Sequence, residues 1–149
     1  MTTTPIAPTP TRPAAVDGAG EDPATVAGAF YDAFLADDLV TASQLVAPDA
    51  VLHVPGSNPV AGDHEGLDAI LDFALTSRAL LGDGAERIRV LDLTSGATHA
   101  TAICQVTGER PDRPVLHNRT VHVLRVDDGR IAEIWFHNFD QTSVDAFWS

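Results

Sequence analysis

An α+β domain is the fold class the sequence predicts, on three observations. Apolar residues recur at helical spacing through most of residues 22 to 81, the period falls to two from Ala85 onward, and the last two strand-like runs flank an Asp127-Asp128-Gly129 turn. The implied order is helix, helix, strand, helix, then four antiparallel strands: a long curved sheet wrapped over three helices.

Residues 1 to 21 are rich in Pro, Thr, Ala and Gly, with almost nothing to bury, and read as a disordered leader before a single domain over 22–149. Asp22-Pro23 is an N-cap followed by proline at the first helical position. The helix to Asp38 carries Val26, Ala29, Phe30, Ala33 and Phe34 as its core stripe, widened by Tyr31 and Leu35. A second short helix is predicted from Val40 to Val46, ahead of Pro48-Asp49. Ala50 to Pro55 is a strand with Val51 and His53 on one face, and Gly56 to Gly66 is a loop of turn-forming residues.

Leu67 to Leu81 forms the third helix, buried through Leu67, Ile70, Leu71, Ala74 and Leu75, with Gly82 as its stop. Glu86 to Thr94 and Ala97 to Glu109 are strands joined through Ser95-Gly96. A loop over Arg110 to Arg113 leads into the final strand pair. Gln141 to Trp148 forms a C-terminal helix capped by Asp140.

With 21 acidic residues against 9 basic ones, none of them lysine, and a net charge of −12, the chain lacks the clustered cations that a nucleic-acid partner requires. The single cysteine, Cys104, rules out an internal disulfide framework and fits a reducing cytoplasm, the expected location. No cationic region followed by an apolar stretch marks a signal peptide, and no apolar run is long enough to span a membrane. There is no GxGxxG or Walker pattern, so no nucleotide cofactor is expected.

The chemistry concentrates in the final strand pair, where polar groups interrupt runs that otherwise read as core. Asn118, Thr120 and His122 share a face with Leu124 and Val126, and Glu133, Trp135 and His137 share a face of the next strand. A buried polar group left unpaired costs about 1–3 kcal/mol, so such a cluster lines a pocket more readily than it fills a dry core. Parity and the hairpin place His122 and His137 in one cavity, with Trp135 and Asn118 on its wall, and the fold implied by the family resemblance (below) adds His53 to them. Histidine titrates near neutrality, so one imidazole could accept a proton while another donates. The alternative is three structural histidines bonded to backbone. Metal binding is not expected, for want of a close H-x-H or HExxH spacing. Cys104 reads as a small buried apolar residue.

The paired N-terminal helices, the stretch PDAVLHVPGSNPVAGDHEG and the terminal VHVLRVDDGRIAEIW…D resemble the nuclear transport factor 2-like superfamily, and within it the SnoaL-like polyketide cyclases and ketosteroid isomerase-like proteins. The resemblance covers Asp22 to Ser149. It implies a cone-shaped, curved mixed or antiparallel sheet around the N-terminal helices, enclosing a deep apolar pocket. Where ketosteroid isomerase has its general-base aspartate, this chain has Val54. Where the isomerase has its oxyanion-hole tyrosine, this chain has Phe30, with Tyr31 pointing elsewhere on the helix. His122 falls at the isomerase's protonated aspartate. Against limonene epoxide hydrolase, whose pocket arginine falls near Thr120, the water-holding and acid/base positions fall on His53, His122 and His137. The Asp-Arg-Asp arrangement of that enzyme is absent.

These correspondences imply catalytic roles for His53, His122 and His137, and substrate contacts from Asn118, Thr120, Trp135 and Phe30. The expected function is a cofactor-independent enzyme cyclising, dehydrating or isomerising a polyketide-like or terpenoid metabolite. The alternatives are a non-catalytic binder of such a small apolar molecule, or an interaction module using the outer sheet face. A homodimer is expected, because relatives pair through that face and Val121 and Val123 give it an apolar patch.

Overall fold

The computed structural model describes residues 21–82 and 87–149, and in them four helices pack on one six-stranded mixed sheet, an α+β architecture. The expected leader lies outside the described residues apart from Glu21, as does Glu86 at the start of the third strand.

Helix α1 spans Pro23–Leu35. Asp22 caps it by accepting from the Thr25 amide at 3.3 Å, and its second carboxylate oxygen accepts from the Ser95 hydroxyl at 2.8 Å. One side chain thus both starts the helix and ties it to the sheet. The buried face is Val26, Ala27, Tyr31 and Ala33, whereas Ala29 is exposed. The expected stripe is therefore rotated, because Tyr31 finds a buried partner for its hydroxyl (below) and can be buried at little cost.

Helix α2 is Leu39–Gln44, capped by Asp38. Strand β1 runs Val46–Val54 and so begins earlier than its sequence pattern suggests. The loop expected before the third helix contains a short edge strand, β2 (Gly62–Glu65), paired antiparallel to β1. Lying at the sheet edge, it turns only His64 inward, against Phe73, and its other residues are exposed. Helix α3 covers Leu67–Leu81 and ends at Gly82, whose φ of +84° only glycine adopts freely.

Strands β3 (Ile88–Ser95), β4 (His99–Gly108), β5 (Leu116–Asp127) and β6 (Arg130–Asn138) follow, and α4 (Gln141–Trp148) closes the chain under an Asp140 cap. The spatial order is β2-β1-β6-β5-β4-β3, with β1 parallel to β6 and all other neighbours antiparallel. Leu52 on β1 and Ile88 on β3 line the same cavity. In a flat sheet, four strand spacings would hold them roughly 19 Å apart. The sheet therefore curls around the helices.

The β5–β6 hairpin sets the geometry of everything inside. Asp128 (φ +50°) and Gly129 (φ +75°) form its two-residue turn, with Asp127 opposite Arg130 and Val126 opposite Ile131. The register then slips by one: Arg125 pairs with Glu133, leaving Ala132 as an extra residue, a β-bulge. Beyond it His122 pairs with Phe136 and Thr120 with Asn138. Ile131 and Ile134, three apart, both point into the core because of that extra residue.

Candidate functional site

A cavity of about 130 Å³ opens between the inner face of the sheet and helices α1, α3 and α4. Phe30, Phe34, Phe73, Phe136 and Trp148 supply its aromatic wall, and no Asp, Glu, Lys or Arg is among the described lining residues. Besides Asn58 and Ser77, two sets of polar groups interrupt this apolar lining.

The first is a pair. The Tyr31 hydroxyl lies 2.7 Å from His122 Nδ1. Tyr31 is on the third turn of α1 facing the sheet, and His122 is on the inner face of β5, so helix packing and strand parity together bring them into contact. The imidazole stacks on the Phe136 ring at 3.8 Å, and Phe30 meets Tyr31 edge-on at 5.5 Å. Out of water, the charged forms are disfavoured: burial lowers the His122 pKa to about 3 and raises that of Tyr31 well above its ordinary value. Both groups are neutral at physiological pH. The Cys104 thiol lies 3.8 Å from the same Nδ1, and burial pushes its pKa up to about 11, so it is neither a thiolate nor a ready nucleophile.

The second set is a chain of carboxamides. Asn118 donates to Asn138 at 2.8 Å, and Asn138 donates to Gln141 at 2.9 Å. Thr120, next along the inner face, donates to the His137 carbonyl at 3.2 Å.

His122, Asn118, Thr120 and Phe30 all line the cavity. The expectation that His53, His137 and Trp135 share it is corrected by their positions. An unbulged hairpin with this turn would pair His122 with Trp135, placing both on one face. The extra residue at Ala132 moves every later side chain of β6 to the other face, so Trp135 and His137 point outward and Phe136 and Asn138 point in. His53 pairs in register with Trp135 on the neighbouring parallel strand and goes with it to the outer face.

There His53 has a different environment. Its Nε2 lies 2.6 Å from Glu133 and its Nδ1 2.7 Å from Asp63, and Trp135 stacks on the ring at 5.5 Å. Two carboxylates on two ring nitrogens are satisfied only by the imidazolium, and Glu133 first, then Asp63, raises the His53 pKa. His137 is exposed. The three histidines thus form no common centre, and the described residues contain no cluster of His, Cys, Asp or Glu able to hold a metal.

Tyr31, Asn138 and Phe136 are the cavity residues that sequence reasoning missed. Tyr31 had a usable signal, since Ala27 and Tyr31 repeat at four, beside Phe30 and Phe34. Asn138 and Phe136 had none apart from the bulge.

Comparison with known proteins agrees with this fold. Bal32a, from a soil-derived mobile gene cassette, superposes with a TM-score of 0.79 at 26% identity, over 85% of this chain and 95% of that one. A Xanthomonas campestris protein of unknown function with a cystatin-like fold gives 0.77 at 25% identity, over 87% and 99%. A candidate polyketide cyclase from Sinorhizobium meliloti gives 0.58 at 23% identity, over 76% and 94%, and attests to the fold alone. No curated protein matches the chain. The family model described as the SnoaL-like domain matches residues 27–134, from α1 through Ile134 on β6, and the chain belongs to that family.

Proposed function

We propose that the cavity takes a small, apolar, oxygenated metabolite and that His122, oriented by Tyr31, acts on an oxygen of that molecule. The reaction is a cofactor-independent cyclisation, dehydration or isomerisation of a polyketide-like or terpenoid compound. The observation that carries this reading is the 2.7 Å Tyr31–His122 contact inside an otherwise uncharged wall. Membership of the SnoaL-like family supports it.

The chemistry follows from the neutral state of the pair. An imidazole that protonates only near pH 3 is not a reservoir of acid at neutral pH. With the Tyr31 O–H donating to Nδ1, the ring carries its proton on Nε2, which has no protein partner among the described residues. An Nε2–H of this kind polarises a carbonyl and is worth most as negative charge develops on its oxygen, because the surroundings are dry. Phe30, Asn118 and Thr120 contact the substrate in this reading. His53, His137 and Trp135, on the far face, have no part in it.

A second reading, a non-catalytic binder, is favoured by one observation: the described lining contains no carboxylate to serve as a strong base. Native mass spectrometry of protein purified from its own host identifies the bound metabolite, and that compound is then tested for turnover. Catalysis requires that His122→Gln lose at least a hundredfold in kcat while still binding. A ligand that is bound and never converted sinks the enzymatic reading and leaves the binder.

The outer face supports a further part of the proposal, a homodimer. Val121 and Val123 stand there half-buried, with Ile103 and Trp135 as their cross-strand neighbours.

A further inference from the structure

We infer that Asn118 presents the cavity with a hydrogen-bond acceptor of fixed sense, so that the favoured occupant carries a hydroxyl or N–H group at that position. The inference rests on the cavity being a ligand site, as proposed above, and narrows the ligand's chemistry.

A carboxamide can turn either its oxygen or its NH₂ to a neighbour, and only the network decides which. Here the network ends on groups whose sense cannot change. Asp145 Oδ1 receives the Ser57 backbone N–H at 3.0 Å and the Asn58 amide at 2.7 Å. Asn58 foremost, then Gln141 and Ser57, holds its carboxyl below the usual range, so it is ionised and can only accept. Gln141 Nε2 faces that oxygen at 3.0 Å and the Pro55 carbonyl at 3.4 Å, two acceptors, so its NH₂ must point to them. Gln141 Oε1 is then left to accept from Asn138 Nδ2 at 2.9 Å, which turns Asn138 Oδ1 to accept from Asn118 Nδ2 at 2.8 Å. Reversing any one amide would oppose oxygen to oxygen. The polarity set at Asp145 therefore passes through three amides to the cavity wall.

Asn118 Oδ1 is what remains. It is the buried side-chain polar atom without a partner among the described residues, on a cavity-lining side chain that is only 6% exposed. An orphaned buried acceptor costs free energy that a ligand's donor can recover. A ligand bearing only an ether or carbonyl oxygen there meets lone pair against lone pair. Gly56 helps to set the anchor: its φ is +109°, and a Cβ on it would collide with both Asp145 Oδ1 and Gln141 Nε2.

The test compares 2-naphthol, 2-methoxynaphthalene and naphthalene by isothermal titration. The natural sequence is expected to bind 2-naphthol at least tenfold more tightly than the methyl ether. Asn118→Leu should narrow that ratio to within twofold and keep its affinity for naphthalene. Gln141→Leu cuts the relay outside the lining and should narrow the ratio at least threefold, which serves if Asn118→Leu does not fold. Asp145→Asn should preserve it, because the Ser57 N–H still demands an oxygen there. Equal affinity of the natural protein for all three compounds overturns the inference and leaves the apolar cavity standing. A preference undiminished in Asn118→Leu, or in Gln141→Leu where the former is unfolded, also overturns it, by moving the donor's partner elsewhere. Failure of all three compounds to bind removes the ligand site itself.

Discussion

The imidazole of His122 is stacked 3.8 Å from the phenyl ring of Phe136, its direct cross-strand partner, and this pairing keeps water from the ring that the cavity chemistry depends on. Burial, with the His122 pKa lowered to about 3, makes a signed statement about stability. The unfolded chain takes up a proton near pH 6.5 and the folded one does not. The stabilisation is thus fully present above pH 6.5 and is lost as pH falls toward 3. Between pH 7 and pH 5 the loss is about 2 kcal/mol. Denaturant titrations of the natural protein and His122→Gln at both pH values should show the natural protein losing more by that amount. Equal acid sensitivity would mean that His122 is not buried neutral.

Tyr31→Phe removes the hydroxyl from Nδ1 and keeps the ring. A buried acceptor deprived of its donor should cost about 1–3 kcal/mol, although the substitution itself is nearly isosteric. A double-mutant cycle with His122→Leu isolates the pair and should return a coupling on the order of 1 kcal/mol. Additive effects of the two changes would show that the 2.7 Å contact contributes nothing to stability.

On the outer face the sign reverses. Glu133 and Asp63 raise the His53 pKa, so its contribution to stability is present below the unfolded value near 6.5 and fades as pH rises through the folded value. Asp63 is 63% exposed, which screens the interaction and keeps it under about 1 kcal/mol. His53→Gln should therefore cost less than 1 kcal/mol at pH 6 and almost nothing at pH 9, and should leave ligand affinity untouched. A tenfold loss of ligand affinity in His53→Gln would return this histidine to the site.

These contrasts show how far the sequence was legible. The α+β class, Asp22 as a cap, the Leu67–Leu81 helix and its Gly82 stop, and the Asp140-capped C-terminal helix agree with the structure, because each depends on a local signal. The SnoaL-like family was also readable. What failed was the relation between two strands. Parity within β5 was right, but the bulge at Ala132 breaks the alternation of β6 between Ile131 and Glu133 and so shifts how the faces of the two strands match. Gly129, three residues earlier, made a bulge near the turn conceivable without fixing its place. Polar side chains on Glu133, Trp135 and His137 then suggested a lined pocket, when they belong to an outer face of ion pairs and stacked rings. Tyr31 was missed for a related reason. A helix as uniformly apolar as α1 has a broad stripe, and only its partner on the sheet decides which edge of that stripe turns inward.

The last prediction concerns the outer face. Val123 lies between Thr101 and Trp135, and Val121 between Ile103 and His137, so half-buried apolar side chains from three strands adjoin one another on a surface that no helix of the described chain covers. A patch of this kind on a sheet face is self-complementary under a two-fold axis, which sets the same strands of two copies against each other. Sedimentation velocity at tens of micromolar should give the mass of a dimer. Val123→Glu places a charge at the centre of the contact, where it would be desolvated without a partner, and should yield a monomer with an intact cavity. Because the substitution is on the outer face, 2-naphthol affinity should stay within twofold of the natural protein's. A natural protein that sediments as a monomer at this concentration removes the dimer. A Val123→Glu protein that remains dimeric places the interface elsewhere on the surface.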